Sequence, residues 1–270
     1  MPLDGVAIAR GGCEYSIVMR RIESAHNRVF KELSRLLTSS GIKKEGRALV
    51  AGSKPVGEAL RRFPSRCRAW ISAGEDAPPP SEAPAHLEWL CLASALHRAL
   101  DVFGTGAPLL LIESPPILPW STAQGFPDGC SLLVPFQDPE NVGAVVRSAL
   151  AFGAAQVILL AESAHPYHPR AMRASSGAVL YAPLRAGPSI AELPADLPVV
   201  PLSAEGRPLS AFVFPLSFGL LAGLEGPGLP AAWRERAVSI PIRSEVESLN
   251  AAVAASVALY AWSRARGGVR

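Results

Sequence analysis

The chain has 270 residues, 49% of them hydrophobic and 18% charged, with a net charge of +3. That composition excludes a disordered polyelectrolyte, and the length suits two ordinary domains, each with its own core. The first sixteen residues combine Asp4, Arg10 and Glu14 without a sustained apolar run, so no secretory signal is expected and the chain is assigned to the cytoplasm.

In chain order, the N-terminal third is the most basic part. From Ile17 to Trp70 there are thirteen Lys or Arg against Glu23, Glu32, Glu45 and Glu58, a local balance of +9 that leaves −6 for the remainder. A basic first part on a mildly acidic remainder points to a polyanionic partner for the first part alone. Ile22, Ala25, Val29, Leu33 and Leu36 recur at helical spacing, with Arg28, Lys31 and Arg35 together on another face. Lys43 and Lys44 follow beyond the next turn, and these five cations are the candidate contacts to a polyanion. Short apolar runs at Ala48 to Ala51, Ala69 to Ser72, Leu87 to Leu92 and Leu109 to Ile112 read as strands with helical stretches between some of them, a small α/β unit.

Two proline-rich stretches follow. The one from Ala77 to Ala85 reads as a loop, and the one from Ser114 to Asp128 as the domain boundary. Beyond it, apolar runs of strand length recur at Leu132 to Phe136, Val157 to Leu160, Val179 to Ala182, Val199 to Leu202, Phe218 to Ala222 and Val238 to Ile242. Runs this continuous are expected of parallel strands covered on both faces. The apolar stretch Leu249 to Trp262 includes Asn250 and Ser256 and is shorter than the roughly 20 residues of a membrane span, so it reads as a buried helix. Cys13, Cys67, Cys91 and Cys130 are scattered without ligand spacing, and His165 and His168 flank a Pro-Tyr pair in a loop, so no metal site is expected.

Three segments hold residues suited to chemistry at the ends of these strands, where open α/β sheets place their ligands. In Asp138 to Ala154, Asn141 is a candidate helix cap and Arg147 falls on the second turn among small apolar residues. Gly219 to Leu229 runs an apolar strand into Gly223, Glu225, Gly226 and Gly228, glycines that let a backbone approach a ligand, without a Walker lysine or a dinucleotide fingerprint. Val238 to Tyr260 ends a strand at Pro241 and places Ser248, the expected N-cap, and Asn250 at the mouth of an Ala-rich helix.

These segments, in this order, resemble the three signature motifs of the SpoU (TrmH) family of RNA ribose methyltransferases, within the SPOUT class. Arg173 to Pro183 is similar to the family's Ser-Gly-Ala segment, and the N-terminal part to the small substrate-binding domain of many members, with Ala51 and Leu224 departing from the usual pattern. The resemblance implies an α/β fold. A parallel-sheet SPOUT domain with a deep trefoil knot (128–270) would follow an N-terminal tail (1–16), a small α/β RNA-binding domain (17–114) and a proline-rich linker (115–127). It further implies S-adenosyl-L-methionine held by Gly223, Glu225, Gly226, Ile240 and Leu249. Arg147, with Asn141, Ser248 and Asn250, would serve methyl transfer to a ribose 2′-hydroxyl. RNA, ribosomal before transfer, is the implied substrate, with Arg28, Lys31, Arg35, Lys43 and Lys44 as its contacts. A homodimer through the C-terminal domain is the implied assembly. The competing reading is a catalytically silent RNA-binding protein that keeps the fold.

Overall fold

The computed structural model describes residues 6–10, 16–223, 229 and 231–267. The chain forms two units, one of residues 1–116 with 167–180, the other of 117–166 with 181–270.

The first unit begins with β1 (Val6–Arg10), antiparallel to β2 (Ser16–Ile22), where a tail was expected over residues 1–16. Ile22 ends β2 and is fully buried, so the helix expected from Ile22 starts later, as α1 (Arg28–Arg35). The reason is local: Asn27 caps α1 by accepting from the Val29 amide at 2.8 Å, and its own amide closes a turn onto the Ser24 carbonyl. There follow α2 (Ser39–Glu45), β3 (Arg47–Val50), α3 (Ser53–Arg62), β4 (Cys67–Ala73), β5 (Glu88–Leu92), α4 (Ser94–Leu100) and β6 (Leu109–Glu113). The strands form one mixed sheet in the order β1-β2-β5-β4-β6-β3.

In the second unit, β7 (Leu118–Pro119), β8 (Gly129–Val134), α5 (Pro139–Ala151) and β9 (Gln156–Leu159) come first. Next, α6 (Pro169–Ala174) belongs to the first unit, and the chain then returns through β10 (Leu184–Ala186), β11 (Val199–Pro208), β12 (Ser217–Leu221), α7 (Ala231–Arg234), β13 (Val238–Ser239) and α8 (Ala251–Ala265). The sheet order is β13-β11-β12-β8-β9-β10-β7, and every pairing is parallel. All six residues of β8 and all four of β9 are buried, as parallel strands covered on both faces must be.

Two expectations are corrected here. Val179 to Ala182 is not a strand: Ser176 (φ 52°) and Gly177 (φ 83°) take left-handed conformations and turn the chain into a short 3-10 stretch, Ala178–Leu180. The proline-rich stretch 115–127 is not a bare linker either. Leu118–Pro119 is an edge strand, and Trp120 is buried with Leu133, Ile158 and Leu221 and stacks on Phe126 at 5.4 Å.

One glycine in the second unit is required by a close approach. A Cβ on Gly206 would lie 2.5 Å from the Ala237 carbonyl, so only glycine lets the end of β11 fold back onto the residues leading into β13. Ser239 Oγ then donates to the Gly206 carbonyl at 2.8 Å.

The first unit buries a titratable group. His97 on α4 is 1% exposed, and burial pushes its imidazole below the ordinary value, with the Asp101 carboxylate and the Ala107 backbone only partly opposing. The unfolded chain therefore takes up a proton at higher pH than the folded one. The contribution of His97 to stability is fully present above the ordinary value of 6.5 and is lost as pH falls below it. The melting temperature should fall as pH drops below about 6.5, and His97→Leu should flatten that fall; an unchanged slope in the variant would assign the pH dependence elsewhere.

Candidate functional site

A cavity of about 770 Å³ lies in the second unit at the C-terminal side of the parallel segments of β11, β12 and β13. This is the edge at which parallel sheets present ligand sites, and the volume is that of a small-molecule pocket. Its walls include Leu202 to Ala204 of β11, Ala222 and Gly223 after β12, residues 238–250, and the first turn of α8, with Asn141 reaching in from α5.

Asn141 and Asn250 hold the rim together. Asn250 is the N-cap of α8: its Oδ1 accepts from the amides of Ala252 at 3.0 Å and Val253 at 3.1 Å. Its Nδ2 donates to Asn141 Oδ1 at 3.0 Å, so both ends of one amide are used. Further along α8, Ser256 Oγ lies 2.8 Å from Ser148 Oγ on α5. Ser148 is seven residues after Asn141, about two helical turns, so the same face of α5 meets α8 twice. No sequence signal announces this second pair, because Ser256 sits inside an otherwise apolar helix.

Several expected roles change hands. Ser248 lines the cavity and is exposed, but the cap is Asn250, two residues on. Likewise the cap of α5 is Asp138, which accepts from the Glu140 amide at 2.9 Å, with Pro139 at the first helical position. Because α5 thus starts at Pro139, Arg147 falls on its third turn rather than its second; it is exposed and is not part of the cavity wall.

Of the expected cofactor residues, Gly223, Ile240 and Leu249 line the cavity, whereas Glu225 and Gly226, like Leu224, lie outside the described residues. A Cβ on Gly223 would meet Leu202 O and Leu229 Cγ only at 3.7 and 3.8 Å, ordinary contact distances, so the space it leaves open belongs to the cavity. Ser203, Ala204, Ile242 and Val246 also contribute, though nothing in their spacing marked them. Among the described residues no group of three His, Cys, Asp or Glu could hold a metal ion. Cys130, buried in β8, has its thiol pushed up to about 12 by burial, so it is no nucleophile at neutral pH.

The candidate RNA contacts Arg28, Lys31, Arg35, Lys43 and Lys44 are all exposed on the first unit. Arg28 pairs with Glu32 at 2.9 Å and Arg35 with Glu45 at 3.4 Å, while Arg47 reaches both carboxylates. The hydrogen bond from Arg28, with help from Arg47, holds the Glu32 carboxyl below its usual range. Lys31, Lys43 and Lys44 have no such partner among the described residues, so the cationic face is only partly neutralised from within.

A parallel sheet carrying a small-molecule cavity at its C-terminal edge, closed by a capped helix, defines an α/β ligand-binding domain. Residues 131–260 match the SpoU rRNA Methylase family. Over 245 residues the chain is 61% identical to "Ribosomal RNA small subunit methyltransferase G 2" of Syntrophobacter fumaroxidans, covering 91% of this chain but 49% of that protein. The chain thus spans about half the length of that relative. It is 29% identical over 250 residues to the Bacillus subtilis 23S rRNA (guanosine(2553)-2'-O)-methyltransferase RlmP, covering 90% of this chain and 98% of that one. Among solved structures, the SpoU methyltransferase AviRb from Streptomyces viridochromogenes in complex with AdoMet superposes with a TM-score of 0.72 at 26% identity, covering 91% of this chain and all of AviRb.

The double use of the Asn250 amide makes a specific forecast. Asn250→Ala, which loses the cap, should lower the unfolding free energy by about 1 kcal/mol. Asn250→Asp keeps the acceptor and should recover most of it in a thermal melt; equal melting of wild type and Asn250→Ala would show that the cap contributes nothing.

Proposed function

We propose that the chain transfers a methyl group from S-adenosyl-L-methionine to a ribose 2′-hydroxyl in structured RNA, ribosomal RNA before transfer RNA, in the cytoplasm. The observation that carries the reading is the convergence of the three motif segments on one cavity: Asn141 from the first, Gly223 from the second, and Ile240, Ser248, Leu249 and Asn250 from the third. The Bacillus subtilis relative, aligned along nearly its full length and named for 23S rRNA 2'-O-methylation, supports the substrate class.

The cavity suits the cofactor chemically. Leu202, Ala222, Val238 and Leu249 give apolar walls, and Ile242 and Val246 are 38% and 49% exposed at its mouth, apolar surface that an adenosine moiety would cover. Bound there, S-adenosyl-L-methionine would supply an electrophilic methyl group on a positively charged sulfur. Gly223, Ile240 and Leu249 would hold it through main-chain groups, and Ser248, Asn141 and Asn250 would offer neutral hydrogen bonds beside it. Further support comes from the path of the chain: it leaves edge strand β13 and returns to pack α8 on α5, which follows the interior strand β8, the kind of return a trefoil knot requires.

Arg147 follows Asn141 by six residues on α5, about 9 Å along the helix axis. A guanidinium stays protonated and is a poor base, so Arg147 acts on the RNA side. It holds a phosphate next to the target ribose and stabilises negative charge as the hydroxyl attacks. Arg147→Ala should leave cofactor affinity, measured by calorimetry, near wild type while single-turnover methylation falls on the order of a hundredfold or more. Lys should rescue poorly, lacking the planar fork. A stable Arg147→Ala variant with near-normal turnover would remove Arg147 from the mechanism.

The assembly we infer is a homodimer through α8. Its inward face, with Ala252, Ala255, Leu259 and Trp262, is buried, whereas Val253, Val257 and Tyr260 stand 49%, 37% and 53% exposed, a stripe with one-turn spacing. Light scattering at micromolar concentration should give the mass of two chains, and Val253→Glu with Val257→Glu should halve it without loss of helical circular dichroism. A wild-type monomer would exclude the dimer.

A further inference from the structure

The segment 167–180, which follows β9 in sequence, packs as part of the first unit. His168 caps α6, accepting from the Arg170 amide through Nδ1, while its Nε2 lies 3.1 Å from the Leu37 carbonyl; Gly177 sits beside Pro55. So placed, the segment brings the Arg173 guanidinium onto the ring of Phe103, with Cζ 4.2 Å from the ring centroid. Arg173 is exposed and Phe103 half-buried beneath it, and Arg173 has no carboxylate partner among the described residues.

The loop that carries Phe103 is rigidly built. Gly104 and Gly106 take left-handed conformations at φ 62° and 68°. The Asp101 carboxylate, itself 5% exposed, accepts from the amides of Phe103 at 3.3 Å and Gly106 at 2.7 Å and from the Thr105 hydroxyl at 3.3 Å. A buried carboxylate thus fixes an aromatic ring, and the ring fixes a guanidinium.

We propose that the Phe103–Arg173 pair is a docking platform for an unpaired nucleobase of the RNA substrate, which stacks on the outer face of the Arg173 guanidinium. The inference rests on the RNA reading given above and adds to it a residue that selects unpaired nucleotides. Single-stranded RNA is recognised by stacking of splayed bases on aromatic rings and arginine planes, and a duplex, with its bases already stacked, has none to offer. The ring below keeps the guanidinium flat and in place, so little side-chain freedom remains to be lost on binding. In contrast to Arg28 and Arg35, whose carboxylate partners compete with phosphate, Arg173 presents its full charge. The pairing also accounts for the sequence position of Arg173, beside the Ser-Gly-Ala turn and outside the cofactor cavity.

The test uses the full chain and two probes, an oligouridylate of about twelve residues carrying one 2-aminopurine and an RNA duplex of the same length, at a fixed salt concentration. Wild type should bind the single strand more tightly than the duplex and change the 2-aminopurine fluorescence. Arg173→Ala should weaken single-strand binding by about tenfold, within the range expected for one stacked base, and abolish the fluorescence change, with duplex binding, cofactor affinity and melting temperature unaltered. Arg173→Lys, which keeps the charge and loses the plane, should bind the single strand like Arg173→Ala. Phe103→Leu, which keeps apolar packing under the arginine, should fall between. Single-strand binding by Arg173→Ala within about twofold of wild type would overturn the platform and leave the RNA reading standing, and so would full rescue by lysine. Absence of binding to either probe by wild type would overturn both.

Discussion

The hydrogen bond between Asn250 and Asn141 joins the two ends of the chemistry-bearing part of the chain, 109 residues apart in sequence. One carboxamide starts α8, ties that start to α5 and closes the rim of the cavity. Neither contact is strong alone, since a cap contributes about 1 kcal/mol and a neutral hydrogen bond about as much. Their value lies in geometry. The residues between β13 and α8 have little regular structure of their own, and the position of the α8 start decides where their main chain stands. The Ser148–Ser256 contact repeats the tie deeper between the helices and keeps α5 and α8 from rotating against each other.

The two units use charge differently. In the second, the described cavity wall carries ionisable side chains only at Arg243 and Glu247, in the segment between β13 and α8. Its other polar atoms are amides, hydroxyls and main chain, which suits a cationic cofactor. In the first, arginines are abundant but partly spent on Glu32 and Glu45, which draw together α1, α2 and the start of β3. Exposed pairs of this kind contribute little stability. Their effect is to leave the positive surface only partly neutralised from within.

Much of the second unit could be read directly. Its central strands are continuous apolar runs because both faces are covered, and Leu132 to Val134 and Val157 to Leu159 stand out for that reason. Of the cavity residues, Asn141, Gly223, Ser248 and Asn250 could be found as small or polar residues at strand ends, whereas Ile240 and Leu249 are implied only by the family resemblance. Cap positions could not be fixed, because a stretch such as Ser248 to Asn250 offers several competent caps and only backbone dihedrals choose between them. The false strand at Val179 shows the same limit: its first residues are buried, but Ser176 and Gly177 had already turned the chain. Short strands such as Leu184–Ala186 leave too little pattern to detect, and pairing across the sequence, as between Phe103 and Arg173, leaves none.

The ends of the parallel sheet also bear on the behaviour of the protein at high concentration. Both edge strands, β7 and β13, are two residues long, and Pro119 in β7 and Pro241 just beyond β13 have no amide hydrogen to offer. An incoming strand from another molecule would find almost no ladder to extend, although the interior strands are apolar enough to be aggregation-prone if exposed. The sheet is therefore protected against edge-to-edge polymerisation by brevity and proline rather than by charge. Lengthening β7 by a few β-branched residues would remove that protection at an edge that does not line the cavity.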